Sequence, residues 1–176
     1  MEALPPDRRE TCKAFVPRVY ESDLRVTLVL GIDPSAAAPG YAVWCTDSAR
    51  LIHAATEPPC FPCDVAVVES GWPHGKAGKV QMWGLGLDAG WRLCAAAAQD
   101  KYTIAPKAWR AALGGLPANA PKDVIVARLR MLRYKAYDAS TWTDDVVEAA
   151  GIAEATAILL ARPLKKNRTG LKEIKR

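Results

Sequence analysis

Two apolar runs in this sequence each end in an acid, and an alanine-rich segment towards the C-terminus carries two more acids. The first run ends at Asp33 and the second at Glu69. Their aliphatic and β-branched residues predict buried strands, because such strands read as nearly continuous apolar runs. Asp145 and Glu148 are three residues apart at the start of a predicted helix, so both face the same way. Two strand ends and one helix can therefore bring four carboxylates together.

These carboxylates form a donor set of the kind that binds hard divalent cations. Mg²⁺ takes oxygen ligands, and enzymes that cut phosphodiesters often hold two such ions about 4 Å apart. The sequence therefore predicts a site for two Mg²⁺ ions, for which Mn²⁺ can substitute. The predicted metal ligands, which are also the predicted catalytic residues, are Asp33, Glu69, Asp145 and Glu148.

Most of the acids also have a purely structural explanation. Asp33 precedes Pro34, and Asp-Pro pairs are common in turns. The helix dipole alone could favour both Asp145 and Glu148 near the start of the helix, with Thr143 as the possible N-cap. Glu69 is harder to explain in this way, because an unpaired charge at the end of a buried strand is costly and Asp33 would repel it. A bridging cation satisfies these acids together, so we favour the metal interpretation.

The length and composition of the chain argue against several other classes of protein. Its 176 residues, half of them hydrophobic, suffice for one domain with a sizeable core. No apolar run is long enough to cross a bilayer. The five cysteines, an odd number without a signal peptide, argue against a disulfide scaffold. We therefore expect a soluble protein of the cytoplasm, and the net charge of +5 favours a polyanionic partner.

The order of the predicted elements indicates the α/β class. Strands are predicted at residues 24–33, 41–46, 50–56, 64–69 and 101–104. Helices are predicted at residues 80–99, 106–113, 122–133 and 143–161. This order is typical of a mixed sheet, here with five strands, that is flanked by helices. The three predicted regions are an N-terminal tail or peripheral segment at 1–23, one domain at 24–163 and a basic C-terminal tail at 164–176.

Five short motifs follow one another between residues 24 and 161. They are Gly-Ile-Asp-Pro-Ser at 31–35, Val-Val-Glu at 67–69, Gly-Leu-Asp-Ala-Gly at 86–90, Ile-Ala-Pro with a following Trp-Arg at 104–110, and Asp-Val-Val-Glu-Ala at 145–149. In this order and spacing they resemble the RuvC family of Holliday-junction resolvases, which have the ribonuclease-H-like fold. Single motifs are less specific, since Gly-Ile-Asp-Pro also opens actin-like ATPases. Two residues depart from the family, because Glu148 stands where Asp is usual and Ser35 where Gly is common.

The resemblance implies an endonuclease that resolves four-way DNA junctions by paired symmetric nicks. The implied reaction is two-metal phosphodiester hydrolysis with Asp33 bridging the ions. A homodimer is also implied, because a two-fold junction calls for a two-fold enzyme. The helix that carries Gly86 and Gly90 is the candidate dimer face. The small size and polar tail are consistent with a phage-type member that acts in the host cytoplasm.

The same resemblance suggests residues that contact DNA. Trp72 lies three residues after Glu69, where the family has an aromatic residue that stacks at the junction centre. A Trp beside Pro73 could instead pack on the edge of the sheet. The candidate phosphate contacts, each of which could also be an ordinary surface charge, are Lys76, Lys79, Lys107, Arg110 and Lys122.

Other functions stay open at the level of sequence. A nuclease of the same fold that acts on flaps or RNA–DNA hybrids would use the same carboxylates. A nucleic-acid-binding protein of this fold that does not cut would have no need of all four acids. Cys60 and Cys63 form a Cys-x-x-Cys pair, but no second such pair exists. A structural zinc would need two more ligands, for which the candidates are Cys12, Cys45 and His53.

Overall fold

A six-stranded mixed sheet forms the centre of the computed structural model of this chain. The structure describes residues 27–34, 38–70, 88–89, 92–93, 95–117, 119–161 and 171–174. The strands are β1 Leu28–Asp33, β2 Gly40–Cys45, β3 Arg50–Ala55, β4 Cys63–Glu69, β5 Ala98–Ile104 and β6 Leu171–Glu173. Their order across the sheet is β3-β2-β1-β4-β5-β6.

Three α-helices with full bounds accompany the sheet. They are α1 Pro106–Leu113, α2 Lys122–Arg128 and α3 Asp144–Ala161. A π-helix, Leu129–Arg133, continues directly from α2, and two 3₁₀ turns, Lys135–Tyr137 and Ala139–Thr141, lead to α3. None of the helices in the described part of the chain is long and apolar enough to cross a membrane.

The pairing of β1 with β4 brings two of the predicted site residues to one edge of the sheet. The two strands are parallel, and Ile32 lies opposite Val68. The next residue of each strand is an acid, Asp33 in β1 and Glu69 in β4. Because parallel strands end at the same edge, the two carboxylates leave the sheet side by side. Side chains alternate along a strand, so each acid faces the same way as the residue two positions before it.

Helix α3 lies unusually close to β1 and β2, and two glycines allow this. A Cβ atom on Gly31 would lie 2.3 Å from the carbonyl oxygen of Ala149. A Cβ atom on Gly40 would lie 2.0 Å from the carbonyl oxygen of Asp145. Real Cβ atoms do not approach backbone so closely, so only glycine fits at either place. The first turns of α3 are thereby held directly over the ends of β1 and β2.

The face of the sheet under α3 carries the larger core. Buried residues from α1, α2 and α3 pack there against the strands, among them Trp109, Ile125 and Val147. Helix α3 is buried over most of its length, from Val146 to Ala157, and consists largely of small residues. A second buried cluster is formed by the alternate strand residues, whose side chains point to the opposite face of the sheet. It includes Leu93, a buried helical residue. A sheet covered on both faces explains why β1 and β4 are nearly continuous apolar runs.

The predicted α/β fold is confirmed, and three details of the prediction were wrong. The sheet has six strands rather than five, because residues 171–173, expected to belong to a tail, pair antiparallel with β5. Strand β5 begins at Ala98, inside the helix predicted for 80–99, because parallel pairing of Ala98 with Cys63 overrides the helix propensity of an alanine run. The helix predicted for 122–133 changes from α to π at Leu129. Residues 1–23 lie outside the described part of the chain.

We predict that Gly31→Ala destabilises the protein by about 3 kcal/mol, at the upper end of the usual cost of overpacking. The new methyl group would collide with the backbone of α3 at Ala149 and Ala153, which cannot move aside cheaply. Urea unfolding followed by circular dichroism measures the loss. Gly115→Ala is the matched control, because among the described residues no atom beyond its chain neighbours lies within 4 Å of its Cβ position. Its cost comes only from placing alanine at a positive φ of 69°. Equal losses in the two variants would contradict the close approach of α3.

Candidate metal centre

Three of the four predicted acids form one cluster. Asp33, Asp145 and Glu148 each offer a carboxylate oxygen, and these oxygens all lie within 4.8 Å of one another. Asp33 and Glu148 are buried, while Asp145 is half-buried. The cluster forms because β1 ends at Asp33 and α3 starts directly above it. We call these three residues the acid triad.

The start of α3 is fixed by a side-chain cap. The backbone N–H of Val146 donates to Oγ1 of Thr143 at 3.3 Å, and the N–H of Val147 donates to the Thr143 carbonyl at 3.1 Å. Thr143 is therefore the N-cap that the sequence suggested. The cap sets the first turn of the helix, and with it the direction of Asp145 and Glu148. The dipole explanation for Asp145 and Glu148 is compatible with this geometry, but it does not account for the burial of the Glu148 carboxylate or for Asp33 beside it.

Lys122 places its ammonium group among the acids of the triad. Its Nζ lies 2.5 Å from Oδ1 of Asp145, 2.6 Å from Oε2 of Glu148 and 3.5 Å from Oδ2 of Asp33. Lys122 is the first residue of α2, so the helix start delivers the side chain to the sheet edge. The sequence suggested this lysine as a DNA contact. That role stays a prediction, because in the structure its described partners are the three acids.

Glu69 lies beside the triad and is held by a different partner. The indole N–H of Trp109 donates to Oε2 of Glu69 at 2.5 Å. Trp109 is fully buried, and the guanidinium carbon of Arg110 lies 5.3 Å from the centre of its ring. Nη2 of Arg110 in turn lies 3.5 Å from Oε1 of Glu148. A chain of contacts thus runs from Glu69 through α1 to the triad.

Burial and mutual repulsion disfavour the charged forms of two acids. Burial raises the pKa of Asp33 well above its usual value, and repulsion from Glu148 adds to this effect more than Lys122 offsets it. Burial also raises the pKa of Glu69, although the hydrogen bond from Trp109 acts in the opposite direction. For Lys122, burial alone would lower the pKa, but attraction to Asp33 and the hydrogen bonds to Asp145 and Glu148 outweigh it and raise the pKa.

The donor set and the charges fit a divalent cation. The triad and Glu69 carry four formal negative charges, and Lys122 and Arg110 supply two positive charges, which leaves an excess of two negative charges. Carboxylate oxygens in a half-buried cluster with this excess are suitable ligands for Mg²⁺ or Mn²⁺. Asp33, Asp145 and Glu148 could therefore hold a metal ion. Across the described ranges this is the one group of three or more potential ligands close enough to do so.

The remaining candidate residues divide into three groups. Lys107 is exposed on α1 and Arg110 is half-buried on the same helix. Trp72, Lys76 and Lys79 lie outside the described residues, as do Gly86 and Gly90 of the candidate dimer helix. Cys60 is exposed and Cys63 is buried, and burial raises the pKa of the Cys63 thiol to about 12. All of these roles stay predictions.

Sequence reasoning missed the contact between Trp109 and Glu69. The two residues are 40 positions apart, and Trp109 entered only as part of a motif. The signal that could have found it is the register of the sheet. Glu69 lies opposite Ile104 at the end of β5, and α1 begins two residues later at Pro106. The first turn of α1 must therefore pass close to Glu69.

Comparisons with known proteins support the fold and not a family. No family model matches the sequence, and no curated protein matches it. The structure resembles RuvC of Thermus thermophilus in complex with a Holliday junction substrate, with 17% identity and a TM-score of 0.55. It also resembles a second structure of Thermus thermophilus RuvC, with 18% identity and a TM-score of 0.53. Each match covers 84% of this chain and 99% of the other. At this identity the likeness is one of fold, which is the ribonuclease-H-like arrangement expected from the motifs.

We predict that Lys122→Met destabilises the metal-free protein by about 2 kcal/mol. Removing one member of a fully buried ion pair costs about 3–5 kcal/mol, and Lys122 is 47% exposed, which reduces the cost. Added Mg²⁺ should narrow the gap to the wild type, because the ion supplies the missing positive charge. Thermal unfolding in EDTA and in Mg²⁺ measures both effects. Lys107→Met, an exposed lysine on α1, is the control. Failure of Mg²⁺ to stabilise either the wild type or Lys122→Met would contradict metal binding at the triad.

We predict that Asp33→Asn stabilises the metal-free protein, and increasingly so as the pH rises. A carboxyl whose folded-state pKa is raised contributes stability that is present below its unfolded pKa, about 4. This contribution is lost as the pH rises through the raised folded-state pKa of Asp33. Asparagine does not titrate, so it avoids the loss.

Urea unfolding in EDTA at several pH values between 4 and 8 measures this difference. The free energy of unfolding of Asp33→Asn minus that of the wild type should grow with pH. Asp47→Asn, which removes an exposed acid on the turn after β2, is the matched control. A difference that stays constant or shrinks with rising pH would show that Asp33 is not strained by burial and repulsion.

Proposed function

We propose that this chain is a divalent-metal-dependent endonuclease that cuts four-way DNA junctions by paired nicks. The observation that carries the proposal is the acid triad, which gathers three carboxylates within 4.8 Å at one end of β1. The same fold in RuvC is known in complex with a Holliday junction substrate. The motifs around the acids, which follow the order of the RuvC family, add support from the sequence.

Asp33, Asp145 and Glu148 would hold the metal, and Glu69 would complete the site. When bound, divalent ions supply Lewis acidity at the phosphate and activation of the attacking water. We propose Mg²⁺ as the natural ion and two ions as the full complement, with Mn²⁺ as a substitute. The extra methylene of Glu148, where the family usually has Asp, lengthens the reach of the carboxylate from α3.

The cations at the site suit a phosphate substrate. Lys122 and Arg110 both contact the acids, so the scissile phosphate would meet positive charge next to the metal ligands. A guanidinium group can bind a phosphate through two parallel hydrogen bonds. Lys107 is exposed on the same helix as Arg110 and is available for a phosphate further along the strand. The net charge of +5 would strengthen binding at low salt.

Junction resolution adds two requirements to nuclease chemistry. Two nicks in opposed strands need two active sites, which a C₂ homodimer supplies. Branch recognition needs a group that enters the junction, for which Trp72 is our candidate. These two features would separate a resolvase from a nuclease of the same fold that acts on flaps or RNA–DNA hybrids.

A supercoiled plasmid that extrudes a cruciform tests the proposal in one assay. Paired nicks within one encounter linearise the plasmid, whereas single nicks relax it. We expect linear product in Mg²⁺ and none in EDTA. Asp33→Asn should slow the reaction more than about 100-fold, which corresponds to about 2.7 kcal/mol of lost transition-state stabilisation. Asp47→Asn, which removes an exposed acid away from the triad, should cut at the wild-type rate.

Synthetic substrates decide between the alternatives. A mobile four-way junction, a duplex of matching sequence, a flap and an RNA–DNA hybrid are incubated side by side with Mg²⁺. Preferential cutting of flaps or hybrids would replace the proposal by the other nuclease activity. Binding of the junction without any cutting, in Mg²⁺ or Mn²⁺, would make the chain a recognition protein.

A further inference from the structure

Trp109 is the one buried tryptophan side chain whose hydrogen bond ends on a predicted metal ligand, among the described residues. Its Nε1–H donates to Oε2 of Glu69 at 2.5 Å. The donor is fully buried and Glu69 is half-buried, so the bond is partly shielded from water and is stronger than a fully exposed one would be. A carboxylate has two oxygens. The indole N–H donates to Oε2, so the other oxygen, Oε1, is not used by this hydrogen bond.

The indole has little freedom to turn away from Glu69. Residue Gly151 of α3 lies against its ring, and a Cβ atom there would be 3.0 Å from Cζ3 of Trp109. The guanidinium carbon of Arg110 also packs on the ring, 5.3 Å from its centre. Helix α1 starts at Pro106, directly after β5, which pairs with β4 at Glu69. The Trp109 indole is therefore held in place, and the Glu69 carboxylate must orient itself to accept the hydrogen bond.

We infer that Trp109 is a positioning residue for Glu69: its indole N–H holds Oε2 and leaves Oε1 as the oxygen that Glu69 can give to a metal ion. This inference rests on the proposed function, since it assigns Glu69 to the metal site. It explains why Glu69 stands beside the acid triad rather than within it. Glu69 would bind as a monodentate ligand, which suits the small octahedral shell of Mg²⁺ better than bidentate binding does.

The test compares the Mn²⁺ affinity of Trp109→Phe with that of the wild type. Calorimetric titration with Mn²⁺ in the absence of DNA measures both dissociation constants. Phenylalanine keeps an aromatic ring in the pocket and removes the N–H. Loss of an outer-shell partner commonly weakens metal binding by about 10–100-fold, so we expect at least a ~10-fold rise in Kd. Trp142→Phe is the matched control. The Trp142 indole is half-buried, and its described ring contacts are with Tyr134 and Tyr137. The Kd of Trp142→Phe for Mn²⁺ should stay within about two-fold of the wild-type value.

The outcomes of the titration separate this inference from the proposed function. Wild-type affinity in Trp109→Phe, with metal binding intact in the unmodified protein, would overturn the role of Trp109 alone. Absence of Mn²⁺ binding by the wild type would overturn the proposed function and the inference together. Thermal unfolding of Trp109→Phe shows whether the variant is folded enough to be titrated.

A second measurement needs no tryptophan variant and decides the question if Trp109→Phe does not fold. The six tryptophans of the chain give six indole N–H resonances in a ¹H–¹⁵N correlation spectrum. Glu69→Gln keeps an acceptor oxygen but removes its charge, so one indole proton should shift upfield. Mg²⁺ added to the wild type should move the same resonance. An unchanged set of indole resonances in Glu69→Gln would overturn the inference.

Discussion

Lys122 places one ammonium group among three carboxylates that the packing of α3 on β1 has brought together. The close packing is possible because Gly31 and Gly40 have no side chain where the backbone of α3 passes. This close packing sets the distance between the end of β1 and the first turns of α3. The acids are thus partly dehydrated before any ligand arrives, and the geometry of the site follows from the packing of the core.

Burial of Asp33 opposes folding, and the rest of the domain must offset this cost. Burial and repulsion act against the charged form of Asp33, which is a local cost of the site. Helix α3 compensates through its other residues, since it is buried from Val146 to Ala157 and packs small side chains tightly against the sheet. Helix α3 therefore both stabilises the fold and carries two acids of the site, Asp145 and Glu148. Groups whose charged form is disfavoured in this way cluster at functional sites.

The sequence was sufficient to predict the parts of the site that depend on local order. Apolar runs that end in Asp33 and Glu69 predicted strands, and the spacing of Asp145 and Glu148 predicted a shared helix face. The parallel pairing of β1 and β4 then brings the two strand ends together. These features need only periodicity and the rule that parallel strands end at one edge, so they can be read along the chain.

Contacts between distant elements could not be predicted in the same way. Lys122 is 89 residues from Asp33, and its contact depends on where α2 lies over the sheet edge. The same holds for the bond from Trp109 to Glu69. Strand β6 was missed because three residues in a basic segment give no periodic signal, and the pairing partner on β5 supplies the order. Tertiary context decides such elements, and propensity alone does not.

The far end of the α2 segment explains how Lys122 is kept over the triad. Arg133 ends the π-helix and contacts both Glu154 on α3 and the carbonyl of Leu113 on α1. The hydroxyl of Tyr134, the next residue, donates to Oε2 of Glu154 at 2.9 Å. The segment that begins at Lys122 is therefore anchored to α3 at both ends, by the acid triad at one and by Glu154 at the other.

A π-helix adds to this anchoring in a specific way. Its wider turn shifts every residue after Leu129 around the helix axis relative to an uninterrupted α-helix. With an α-helical turn instead, Arg133 would point in a different direction from the one that reaches Glu154. The π-helix thus allows the two ends of one segment to face α3 at the same time. Glu154 lies six residues after Glu148 on the same helix, so the two anchors together fix the position of the segment along α3.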